Sequence, residues 1–156
     1  MFEVQDGART LQFEGDHLGS STSWRPGSFR WNEFELYRTQ NGSYILSRTG
    51  VSLVYHTGSC RLVSKYGLNS IAVEMLHPNA LPCFECEPNF LAPVVFPESY
   101  RHWALVTEEP NSVLDALYKT DEYGARYLTR VAQRLLDEAS ELDSDIDQAY
   151  RIQIIP

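Results

Sequence analysis

The tightest constraint in this chain is a turn. Gln40-Asn41-Gly42-Ser43 stands between two runs with strand-like composition. Asn-Gly tolerates the positive φ that both central residues of a type I′ turn require, and the twist of that turn matches a hairpin. Residues 29–38 are therefore expected to pair with residues 43–47. On the first strand Phe34 and Leu36 point one way, while Trp31, Glu33, Glu35 and Tyr37 point the other. A further strand over 51–56 follows Gly50, and the three make an antiparallel meander with one face free to pack. Ahead of them, residues 10–14 alternate polar and apolar and read as another strand. Residues 15–28 collect Gly, Ser, Thr and Pro and read as loop.

The last third changes period. Ser112 is placed to cap a short helix over 113–118, with Asp115 at capping-box spacing. A longer helix is expected over 124–140. In it Tyr127, Leu128, Val131, Leu135, Ala139 and Leu142 recur at steps of three and four, forming one apolar stripe. An acidic helix over 143–149 follows, and Ile152-Gln153-Ile154 alternates like a final strand. Between the two halves, residues 58–97 hold five of the eight prolines. Proline neither donates to a ladder nor continues a helix, so only short strands at 61–63 and 71–73 fit there. The expected class is α+β: an antiparallel meander over 10–56, an irregular excursion over 58–97, and helices over 111–149 packed on one face of the sheet.

A chain of 156 residues suits one domain spanning 1–156, and its 43% apolar and 22% charged content is ordinary for a folded protein. The net charge of −8 opposes direct binding to a phosphate backbone and favours a partner protein with a basic surface. No apolar run approaches the ~20 residues of a membrane span. Met1 is followed by an acidic stretch without an apolar signal region, so the cytoplasm is the expected compartment, whether of a bacterium or of a phage-infected host. Three cysteines, an odd number, fit reduced thiols or metal ligation better than disulfides.

Phe13-x-Gly15-x-x-Leu18, Arg30-Trp31, and Glu35-Leu36-Tyr37-Arg38-Thr39 with Asn41-Gly42 and Tyr44 form a recurring pattern. In it the chain resembles a loosely defined group of small bacterial proteins found on phages, plasmids and genomic islands, and its hairpin is similar to that of the actinobacterial EXLDI proteins. The resemblance covers residues 10–56 and returns more weakly at Asp121-x-x-Gly124-x-Arg126-Tyr127-Leu128. It implies a mobile-element setting and supplies no catalytic residue.

Binding is expected ahead of catalysis. Trp, Tyr and Arg anchor interfaces, and Trp24, Arg25, Arg30, Trp31, Tyr37 and Arg38 lie close together with Glu33 and Glu35 between them. The tract from Asp137 to Asp147 holds six carboxylates and no Lys or Arg. Its Glu141, Asp143, Asp145 and Asp147 could follow a basic groove on another protein, in the manner of an inhibitor of a nucleic-acid-handling or defence complex. A solvated, solubilising helix end explains the same charge. Two alternatives stay open. No motif calls for a cofactor, but Cys83-x-x-Cys86 with Cys60 and either His56 or His77 has the donors of a closed structural Zn²⁺ site. Glu33 and Glu35, projecting from one strand face, are a carboxylate pair for a hydrolase or nuclease; a solvated face is the simpler account of them.

Overall fold

The computed structural model describes residues 1–26, 28, 30–52, 54–56, 81–82, 92–94, 100–152 and 155. The chain divides into two compact units. One comprises Met1–Ser23, Glu33–Thr49 and His102–Pro156, and the other Trp24–Asn32 and Gly50–Arg101.

The first unit opens with a hairpin, β1 (Phe2–Asp6) and β2 (Arg9–Phe13), paired antiparallel with Asp6 opposite Arg9. Gly7 takes a positive φ in the two-residue connection and Ala8 does not, the signature of a type II′ turn. Next come β3 (Gly15–Thr22), β4 (Arg30–Thr39) and β5 (Tyr44–Ser52), joined in a meander, with β9 (Arg101–Thr107) beside β5. The edge at β9 is not left open. The amide of Gly7 donates to the carbonyl of His102 at 2.9 Å, and the Asp6 carboxylate accepts the Ala104 N–H at 3.1 Å. Capping an edge in this way removes a template for further strand pairing.

The second unit contains a small sheet in which β6 (Val54–His56) lies between β7 (Leu81–Pro82) and β8 (Ala92–Val94), parallel to the first and antiparallel to the second. The expected strands at 61–63 and 71–73 lie outside the described residues, as do residues 153 and 154 of the expected final strand.

In the first unit α1 (Pro110–Leu117) leads into a short hairpin, β10 (Tyr118–Thr120) and β11 (Arg126–Leu128). Helices α2 (Arg130–Leu142) and α3 (Ser144–Arg151) follow. Leu18, Leu36, Tyr44 and Leu46 from the sheet meet Val113, Leu114 and Leu117 of α1, Leu135, Leu136 and Ala139 of α2, and Ile146 of α3. Phe34 packs against the same core. The sheet with helices gathered on the Phe34–Leu36 face is the α+β arrangement the alternation implied.

Several local expectations change. The hairpin between β4 and β5 is present, but no residue other than glycine has positive φ among the described residues, so the turn is not type I′. Gly42 alone is left-handed, at φ +88°. Its N–H donates to the Thr39 carbonyl at 2.9 Å, and the Thr39 N–H donates to the Ser43 carbonyl at 2.8 Å. That is a three-residue loop, a type I turn closed by a left-handed glycine. The β10–β11 turn repeats it: Asp121 stands at the Thr39 position and Gly124 has φ +84°.

Residues 15–22 are strand rather than loop. A bulge between His17 and Gly19 turns Leu18 and Gly19 inward together, which breaks the alternation that would have revealed the strand. A Cβ on Gly19 would lie 3.3 Å from the Leu135 carbonyl oxygen, so the missing side chain is what lets α2 settle on β3. Residues 51 and 52 continue β5, and the strand beyond them belongs to the second unit's sheet.

Helix α1 starts at Pro110 with Glu109 as its cap, not at Ser112, because proline is pre-set for a first helical turn. Helix α2 starts at Arg130, with the Thr129 hydroxyl accepting from the Ala132 N–H at 3.2 Å. Tyr127 and Leu128 are in β11 instead, so the buried stripe of α2 is Ala132, Leu135, Leu136 and Ala139. Leu142, expected in that stripe, is 67% exposed.

Candidate functional site

The junction of α2 and α3 is organised by one carboxylate. Asp143 is the single residue between the helices, and its side chain is 2% exposed. A buried carboxylate needs partners on most of its lone pairs. One oxygen caps α3 by accepting the N–H groups of Asp145 and Ile146 at 3.0 and 2.9 Å, and it also accepts the Tyr44 hydroxyl at 3.0 Å. The other accepts from Arg38 at 2.9 Å. Arg38 also reaches Asp145 at 2.9 Å, and its guanidinium lies over the Tyr44 ring.

The electrostatics follow from that arrangement. Burial and the neighbouring Asp143 carboxylate both push the Tyr44 hydroxyl well above the ordinary phenol range. Burial draws the Arg38 pKa down, but its pairs with Asp145 and Asp143 outweigh that and leave it raised. Asp16, His17, Leu18, Arg38, Leu142 and Asp143 line a cleft of about 410 Å³ beside this cluster.

The acidic tract thus separates into two classes. Asp143, Asp145 and Asp147 are engaged, the last with Arg151 at 2.5 Å. Asp137 stands beside the Tyr150 hydroxyl, whose pKa is raised by burial and then by that carboxylate. Glu138 and Glu141, on the outer face of α2, are exposed and make no ion pair with a cation among the described residues. Leu142 stands exposed immediately after them.

The strand-face candidates are distributed differently. Arg38 shares the side of β4 occupied by Phe34 and Leu36, and its charge is used within the fold. Tyr37, on the other side, is half-buried against Phe2, Phe13 and His17, with ring centroids 4.9–5.1 Å apart. Burial and then Glu35 raise its pKa. Glu35 is held by His17 Nε2, so it does not present an unengaged carboxylate beside Glu33, which is exposed. In the second unit, Trp24, Arg25 and Arg30 are exposed and Trp31 is half-buried. Arg25 forms a turn with Ser28, whose hydroxyl accepts the Arg25 N–H at 3.0 Å.

Of the zinc candidates, Cys60, His77, Cys83 and Cys86, together with the His56 side chain, lie outside the described residues. Among the described residues no three His, Cys, Asp or Glu side chains group as metal ligands.

Sequence reasoning put Glu138 in the acidic tract and Leu142 in the buried stripe, and assigned His17 to no site. His17 fell in a stretch read as loop. The outward face was legible in principle, because residues 130, 134, 138 and 141 recur at steps of three and four, whereas Leu142 shares the spacing of Leu135 and Ala139 and nothing local marks it as exposed. No protein-family model matches this chain, and no match is found among curated proteins or among solved structures.

Proposed function

We propose that this chain is an accessory protein-binding module of phage or mobile-element type, and that it docks a basic protein on the carboxylate end of α2. The observation that carries this reading is the combination of Glu138 and Glu141, exposed and without a described cation, with Leu142 beside them. A helix ends in unpaired carbonyls that carry partial negative charge, so carboxylates in its last turns raise its energy. Cations from a partner would relieve that repulsion, and Leu142 offers such a partner an exposed apolar side chain next to the carboxylates. The mobile-element setting draws its support from the resemblance of residues 10–56. A nucleic-acid-handling or defence complex of the host, whose working groove is basic, is the partner class that fits such a surface.

The test compares two immobilised proteins in bacterial lysate: the native chain and a Glu138→Gln/Glu141→Gln/Leu142→Ala variant with unchanged circular dichroism. The native chain is expected to retain a basic protein that salt elutes, and the variant to lose it. Equal retention by both, or no retained partner, would overturn the reading.

A further inference from the structure

The solvent face of α2 carries charge of both signs. Arg130, Gln133, Arg134, Asp137, Glu138 and Glu141 are all exposed along it, cationic in the first half and anionic in the second. Arg130 and Glu141 are placed symmetrically about the middle of the helix, at Leu135 and Leu136, and so are Arg134 and Asp137. Turned end over end about that midpoint, the pattern lands on its own complement. A two-fold interface has this property: residue i of one copy meets residue j of the other, and j meets i.

We infer that the outer face of α2 is the contact of an isologous dimer, in which a second copy lays its α2 antiparallel on this one. Arg130 stands opposite the second copy's anionic end, and Arg134 opposite the middle carboxylates. The argument for a second copy is charge complementarity at both ends. Arg130 occupies the first position of α2, where the helix already carries positive partial charge, and Glu141 lies in the last turn, where the charge is negative. A basic foreign protein relieves only the second conflict, whereas an antiparallel copy relieves both and opposes the two macrodipoles.

The apolar positions agree. Leu142 is 67% exposed just past Glu141, and Tyr127 is 45% exposed just before the helix begins. Each end of α2 thus has an exposed apolar side chain beside it. Arg134 also donates to the Thr22 carbonyl at 2.9 Å, but a guanidinium has further N–H donors in its fork and keeps its charge. The dimer shares Glu138 and Glu141 with the docking surface proposed above, yet it does not require a foreign partner.

Sedimentation equilibrium of the full chain tests this. Ion pairs at a surface are screened by salt, so the dimer's Kd is expected to weaken about tenfold or more between roughly 50 mM and roughly 500 mM salt. Arg130→Glu/Arg134→Glu alone and Glu138→Lys/Glu141→Lys alone should each be monomeric, and an equimolar mixture of the two should form a heterodimer. The combined fourfold variant restores complementarity within one chain and should dimerise again. A native chain that stays monomeric at low salt overturns the inference. So does a dimer indifferent to either reversal, or a natively folded fourfold variant that remains monomeric. The fourfold variant also separates the two readings, because it keeps the dimer while replacing the carboxylates that a basic foreign protein would need.

Discussion

Helices α2 and α3 are separated by Asp143 alone, and both carry carboxylates, but they place them at opposite ends. In α3 the capping Asp143 and the first-turn Asp145 and Asp147 face the positive end of the helix, and Arg151 lies in its last turn. In α2 no acidic residue lies in the first turn and no basic one in the last; Arg130 begins the helix and Glu141 lies near its end. The charges of α3 are explained by the fold: they cap, pair with Arg38, and follow the macrodipole. Those of α2 work against the helix they sit on. Acidity that a helix needs for itself says little about partners, whereas acidity it tolerates at a cost points outward.

The comparison is broken most severely at Asp143. Its carboxylate joins α3, Tyr44 and Arg38, and Asp143→Ala removes the cap of α3 and leaves the buried Tyr44 hydroxyl without its acceptor, while Arg38 keeps Asp145. Loss of a cap costs about 0.5–2 kcal/mol, and a buried donor left unsatisfied costs about 1–3 kcal/mol more. A urea titration should find a loss of that size, with Asp143→Asn retaining part of the cap and losing less. A loss under about 1 kcal/mol, the size of an exposed pair, would mean that Asp143 is not the hub of the junction.

Next in size is the contrast between the two faces of α2. Leu135 is fully buried and Leu142 is 67% exposed. Leu135→Ala should cost about 2–5 kcal/mol, transfer and cavity terms together, and Leu142→Ala less than about 0.5 kcal/mol. Comparable losses at both positions would place Leu142 in the core and remove the exposed apolar side chain from the docking surface.

What was legible beforehand follows the same division between regular and interrupted pattern. The Phe34–Leu36 face and the Asn41-Gly42 hairpin were readable because local alternation and turn chemistry agree with the tertiary fold. The bulge at Leu18 hid β3, since one extra residue reverses the alternation that identifies a strand. Strand β11 falls inside the helix expected over 124–140 because Tyr127 and Leu128 are in phase with Val131 and Leu135. The ion pairs of Arg38 with Asp143 and Asp145 join residues more than a hundred positions apart, and no local rule reaches that far. Exposed carboxylates and engaged ones look alike in a sequence. Only the positions of the cations tell Glu141 from Asp145.

Tyr44 allows the junction to be read by pH. Its folded pKa is raised above the unfolded value of 10.0, so its contribution is fully present below that pH and is lost as pH rises further. Tyr37 and Tyr150 shift in the same direction. Tyr44→Phe removes a hydrogen bond to a charged group and should cost about 1.5–3 kcal/mol at neutral pH. The gap between native chain and variant should narrow above about pH 10, when titrations at neutral and alkaline pH are compared. A gap that stays constant would show that the Tyr44 hydroxyl is not held neutral by its surroundings.

The smallest effect tests the opening contrast most directly, because it asks for a sign. Glu141→Gln removes a negative charge from the negative end of α2, and Asp147→Asn removes one from the positive end of α3. A charge near a helix terminus is worth about 0.3–1 kcal/mol at low ionic strength. The first substitution should therefore stabilise the monomer by about that amount, and the second should destabilise it by a similar amount, to which the lost contact with Arg151 adds. Thermal unfolding at low salt and at protein concentrations too dilute for dimerisation measures both, and added salt should shrink both differences together. At concentrations that favour the dimer, Glu141→Gln should lose its advantage, since the carboxylate then has a cation opposite it. If Glu141→Gln destabilises the dilute chain as Asp147→Asn does, Glu141 is already satisfied within the fold. The carboxylates of α2 would then need the same intramolecular explanation as those of α3, and neither the basic partner nor the second copy would have a reason to bind there.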